Sequence, residues 1–111
     1  MQGVVRSRKG SVKKVAFRTR VFEEFVQVLR ERGIKQVQIF VKKTYNPRRT
    51  REIIRLIASS DSVEYVATRL EASVIRADFV EQRIQKELSE TKRTLLDRLV
   101  EEGFEVVEGI A

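Results

Sequence analysis

The sequence predicts an α+β fold: a mixed sheet of about four strands with helices, plus a long C-terminal helix. Three observations lead there. VVRSRKGSVKKVAFRT and IKQVQIFVKK alternate as strands do, and apolar residues recur at helical spacing over 22–29 and from residue 73 onward. With 111 residues, 41% of them hydrophobic, the chain suffices for one core without metal or disulfide staples.

Taken in order, the opening reads as a hairpin turning at Arg8-Lys9-Gly10-Ser11, with Val15 and Phe17 on one face and Lys14, Ala16 and Arg18 on the other. Phe22, Phe25, Val26 and Leu29 form a helical stripe, and Gly33 suits its stop. In the next strand Val37, Ile39 and Val41 face inward while Gln38, Phe40 and Lys42 face outward. Asn46 as N-cap and Pro47 at the first helical position predict a second helix, with Ile53, Ile54 and Ile57 as its buried stripe. Residues 62–70 fit either state: Val63, Val66, Ala67 and Leu70 suit a helix; Val63, Tyr65 and Ala67 suit a strand.

From Ser73 the pattern is helical until Gly103, after which FEVVE reads as a short strand. Ala77, Val80, Ile84, Leu88, Thr91, Leu95 and Leu99 follow an eleven-residue period, which describes a nearly straight helix rather than a heptad coil. The expected organisation is a basic α/β domain over 1–71 and a C-terminal element over 72–111. Val80, Ile84, Leu88, Leu95 and Leu99 either pack on the chain's own sheet or form the interface of a homo-oligomer, a dimer or tetramer.

Charge is sorted along the chain. The net charge is +7, yet residues 1–51 carry 15 Lys and Arg against Glu23, Glu24 and Glu31, a net of +12, while residues 52–111 are net −5. A polyanion is the expected partner of the first half. Cysteine, histidine and tryptophan are absent, which removes thiol and imidazole chemistry and the usual zinc sites. Glu23 and Glu24 splay apart on a helix, and no phosphate-binding glycine loop is present, so no enzyme, cofactor or metal is expected. The chain has no apolar run of membrane-spanning length and no signal-like opening, which places it in the cytoplasm with no membrane partner.

The segment Lys42-Lys43-Thr44-Tyr45-Asn46-Pro47-Arg48-Arg49-Thr50-Arg51 is the most informative. Cations in the first turn of a helix are unfavourable by roughly 0.3–1 kcal/mol each, so Arg48, Arg49 and Arg51 at the expected helix start point to a bound phosphate. Lys42, Lys43, Lys13, Lys14, Arg18 and Arg20 extend the phosphate track, and Phe40 and Tyr45 lie among these cations as base-stacking candidates. The expected function is single-stranded nucleic-acid binding, DNA favoured, with little sequence preference. The alternative is a helix-turn-helix regulator of double-stranded DNA over residues 61–88, whose would-be reading helix, 74–88, sums to zero charge. A third class is a subunit whose basic half contacts ribosomal RNA or an acidic protein.

The stretch VKKVAFRTR, the segment RRTREIIRLIAS and the zipper-like run Ala77 to Leu99 give a layout that resembles the ThermoDBP-type single-stranded-DNA-binding proteins of hyperthermophilic archaea and their shorter relatives. The resemblance is architectural. It implies sequence-tolerant binding by the N-terminal domain and oligomerisation through helices, and the single Asn and dense Lys, Arg and Glu suit a heat-adapted protein.

Overall fold

A computed structural model describes residues 17–109 of the chain. The order is β1 (Phe17–Thr19), α1 (Phe22–Glu31), β2 (Gln36–Asn46), β3 (Arg51–Ser60), β4 (Val63–Ser73), α2 (Asp78–Glu101) and β5 (Glu105–Glu108). This is an α+β fold whose five-stranded sheet runs β1-β4-β3-β2-β5. The β1–β4 and β2–β5 pairs are parallel and the two pairs involving β3 are antiparallel, so the sheet is mixed. The first arm of the predicted opening hairpin, with its turn, lies outside the described residues.

Both helices end on the same device. Gly33 and Gly103 adopt positive φ (69° and 93°), and the residues after them, Ile34 and Phe104, donate back to the carbonyls of Leu29 and Leu99. That is the Schellman cap, in which the residue after the glycine also turns apolar contact inward. Ile34 and Phe104 accordingly join the core, and each helix is delivered straight into a strand, β2 or β5.

The predicted helix after Asn46 is instead β3. The local chemistry at Asn46 is as expected of a cap: its Oδ1 accepts the backbone N–H of Arg48 at 3.1 Å. It serves a four-residue hairpin loop, residues 47–50, closed by Thr50 at φ 54° between the paired Asn46 and Arg51. The β-branched run Ile53, Ile54, Ile57 then favours an extended chain, and alternation sends Ile54 to the core while Ile53 and Ile57 face the other way. The next hairpin turns on Asp61 and Ser62 alone, both at positive φ (44° and 71°), as a two-residue type I′ turn requires.

Residues 63–73 are therefore a strand, and the helix expected from Ser73 begins at Asp78. A helix-turn-helix over 61–88 is excluded, because its first helix is the strand that pairs with β3 along its whole length.

All buried apolar positions of the main cluster lie on one side of the sheet. Val37, Ile39, Ile54, Leu56, Ala58 and Val63 meet Phe22, Phe25, Val26 and Leu29 from α1 and Ile84, Leu88, Leu95 and Leu99 from α2. The stripe of α2 is thus consumed inside the molecule, with Val80 packed against it, which is the first of its two expected readings, packing on the chain's own sheet, rather than an oligomer interface. The same cluster draws on both sides of residue 71, so the predicted segments 1–71 and 72–111 share one core. The hairpin-α-β-α-β layout with a separate zipper-like helix is not the observed order of elements.

Candidate nucleic-acid interface

Among the described residues, no helix covers the second face of the sheet. Strand register arranges its side chains in transverse rows. Lys42, Arg55 and Arg69 stand directly opposite one another on β2, β3 and β4. The next row toward β1 is Phe40, Ile57 and Val66, and beyond it come Gln38, Ser59, Glu64 and, on β1, Arg18. Neighbouring strands are about 4.8 Å apart and successive rows about 7 Å apart. Three cations abreast are mutually destabilising in an ordinary sheet.

A β-bulge makes this arrangement possible. Leu56 pairs with Thr68 but Ile57 pairs with Val66, so Ala67 is an extra residue in β4. In a regular strand residues 66 and 69 would point to opposite faces; the extra residue shifts the phase and puts Val66 and Arg69 on the same side.

Two hollows open on this face. One, of about 320 Å³, is lined by Gln38, Phe40, Lys42, Ile57 and Glu64 together with Arg18 and Arg55. The other, of about 440 Å³, is lined by Arg20, Val66 and Arg69, and it shares Arg18 and Arg55 with the first. The groove they form runs across the sheet with Arg18, Arg20, Lys42, Arg55 and Arg69 along it. Among the described residues Lys42 and Arg20 form no ion pair, and Arg55 makes one side-chain hydrogen bond, to the Thr44 hydroxyl at 3.4 Å. Arg69 is loosely held by Glu71 at 3.7 Å, and Arg18 is paired with Glu64 at 2.7 Å while its side chain stays 61% exposed. The long Arg69 pair contributes little and leaves its guanidinium available, whereas Arg18 is engaged by a carboxylate that is only 16% exposed.

The predicted site residues separate on the structure. Phe40, Lys42, Arg18 and Arg20 share the open face or its rim. Lys43 and Tyr45 fall on the helix side, since they alternate with Lys42 and Thr44, and Tyr45 is exposed there near the hairpin tip. Arg48 and Arg49 occupy the tip itself, with no helix dipole behind them. Arg51 does reach the open face, but its Nε and Nη2 are spent on the carboxylate and carbonyl of Glu71, both at 3.2 Å. Lys13 and Lys14 lie outside the described residues. The anion site expected at a helix start is thus corrected: the cations gather instead on the sheet.

Arg55, Arg69, Ile57 and Glu64 were missed. Arg55 and Ile57 fall within the expected helix, and the phase shift at Ala67 hides Arg69. The signal that finds them is the β-branched run in REIIRLIAS followed by the tight Asp61-Ser62 turn.

Elsewhere the molecule neutralises its own charge. A cavity of about 430 Å³ between the helices has Phe22 and Val26 as its apolar lining. It is flanked by the Arg98–Glu23 and Arg30–Glu102 pairs, and the Arg98 guanidinium lies 3.9 Å over the Phe22 ring. At the start of α2, Arg76 bridges Glu52 and Glu81 at 3.0 and 2.6 Å. These contacts hold the Arg76 pKa above its ordinary value, through Glu81 first and Glu52 second. Among the described residues no three carboxylates gather as metal ligands, and Asp61, Glu64 and Asp78 do not converge. No helix of the described chain is long and apolar enough to cross a membrane.

Comparison with family models, with curated proteins and with solved structures finds no match to this chain.

Proposed function

We propose that the open sheet face binds single-stranded nucleic acid, with phosphates along Lys42, Arg55 and Arg69 and a base stacked on Phe40. The observation that carries this reading is the cationic row lying one row away from an aromatic-apolar row on a face that no helix of the described residues covers. Phosphate attraction supplies affinity without sequence information, and stacking on one aromatic ring contributes about 1–3 kcal/mol per base. A duplex keeps its base faces stacked on each other, so it would forgo the Phe40 contact and retain only the cations.

The test is a titration of labelled single- and double-stranded oligonucleotides of the same sequence at two ionic strengths, followed by fluorescence anisotropy. The expected result is tighter binding of the single strand and strong weakening by salt. Failure to bind either form, or single-strand binding that is no tighter than duplex binding and indifferent to Phe40→Ala, overturns the reading.

A further inference from the structure

Phosphate binding does not account for Glu64. A carboxylate set into a surface that attracts anions weakens that attraction, yet Glu64 lines the same hollow as Phe40, Lys42 and Arg55, with its side chain only 16% exposed. It is held in place: Arg18 donates from both Nε and Nη2, at 2.9 and 2.7 Å, and both bonds end on Oε1. The second oxygen, Oε2, accepts no hydrogen bond from the described residues. Ser59 and Gln38 complete the row beside it, two further hydrogen-bonding groups at the far side of the apolar row from Lys42, Arg55 and Arg69.

The three rows thus follow the order of groups in a nucleotide: cations for phosphate, the partly exposed Phe40 and Val66 over the buried Ile57 for the base plane, then polar groups for the base edge. We infer that Gln38, Ser59 and Glu64 read the hydrogen-bonding edge of the base that Phe40 stacks, and that Glu64 selects guanine. The inference rests on the single-strand reading above. An ionised carboxylate only accepts hydrogen bonds. Guanine offers two adjacent donors on its Watson–Crick edge, N1–H and the N2 amino group, and its O6 faces the donors of Arg18 or Gln38. Thymine and uracil present one N–H between two carbonyl oxygens, which the carboxylate repels. Adenine and cytosine each set a ring-nitrogen acceptor beside their amino group.

The experiment compares an oligothymidine about twelve nucleotides long, within the site size of one small domain, with the same strand carrying two central guanines or two central inosines. The guanine strand is expected to bind about tenfold more tightly than oligothymidine, as a good two-bond base contact allows. Inosine, which lacks the N2 amino group, should lose most of that gain. In Glu64→Gln the ratio of guanine-strand to oligothymidine affinity should fall to near one. The inosine arm uses the unmodified protein and so does not depend on the folding of a variant. Equal binding of the guanine and thymidine strands, or a ratio unchanged in Glu64→Gln, overturns the inference while leaving single-strand binding intact. Binding of none of the strands sinks both.

Discussion

Phe40 and Tyr45 sit five residues apart on the same strand and therefore on opposite faces of the sheet. No single ligand surface holds both rings. Phe40→Ala should weaken single-strand binding by about 1–3 kcal/mol, while Tyr45→Ala should leave it within about twofold. Anisotropy titrations of the two variants under one buffer decide this, and a larger loss in the tyrosine variant would return the site to the hairpin tip.

The cationic row should appear in the salt dependence. Neutralising one phosphate contact to a single strand changes the slope of log K against log salt by about 0.7. Lys42→Ala and Arg55→Ala should each flatten the slope by about that amount. Arg51→Ala, whose guanidinium is already engaged by Glu71, should change it much less.

The helix stripe makes a stability prediction. Leu99 is fully buried and Val100, the next residue, is 57% exposed. Leu99→Ala should cost about 2–5 kcal/mol of folding free energy in urea unfolding. Val100→Ala should stay within about 0.5 kcal/mol. Comparable losses at both positions would mean that another molecule covers the outer side of α2.

The cap at Gly103 depends on backbone conformation alone. A Cβ there meets nothing within 4 Å, but φ is 93°. Gly103→Ala should therefore destabilise by about 1–2 kcal/mol through the left-handed penalty, without a clash, as read from the urea midpoint.

The clamp at the start of α2 should respond to acid. Gln85 and Arg76 both donate to Glu81 and hold its carboxyl below its ordinary value of 4.5. A depressed folded-state pKa contributes stability that is complete above the unfolded value and fades as pH falls through the folded one. Wild type should thus unfold at higher urea than Glu81→Gln near neutral pH, with the gap narrowing below about 4.5. A gap that persists unchanged at lower pH would show that the ion pair contributes nothing.

The helices and most strands are legible in the residue pattern because their periodicity is undisturbed: Phe22 to Leu29, Val37 to Lys42, and Ile84 to Leu99 each keep one period throughout. The β3–β4 region is not legible in the same way. Asn46-Pro47 stabilises a turn whether a helix or a strand follows, and Ile53, Ile54 and Ile57 satisfy a helical stripe and a two-sided strand equally well. β4 changes phase at Ala67, so Val63 and Tyr65 share a face with Leu70 and Ala72 only across a break in alternation. The candidate site inherits this difficulty. Phe40 and Lys42 come from a strand of regular alternation, so their shared outward face can be read from the residues, whereas Arg55 and Arg69 become neighbours only once the register of three strands is known.

Since α1 and α2 both press on a single side of the sheet, the core and the proposed binding face lie on different surfaces of the same strands. Ile57, at 2% exposed, is buried on the outward side, while Phe40, Ile53 and Val66 there are only partly buried. Changes at the outward positions other than Ile57 can therefore remodel the proposed binding face without touching the cluster under the helices.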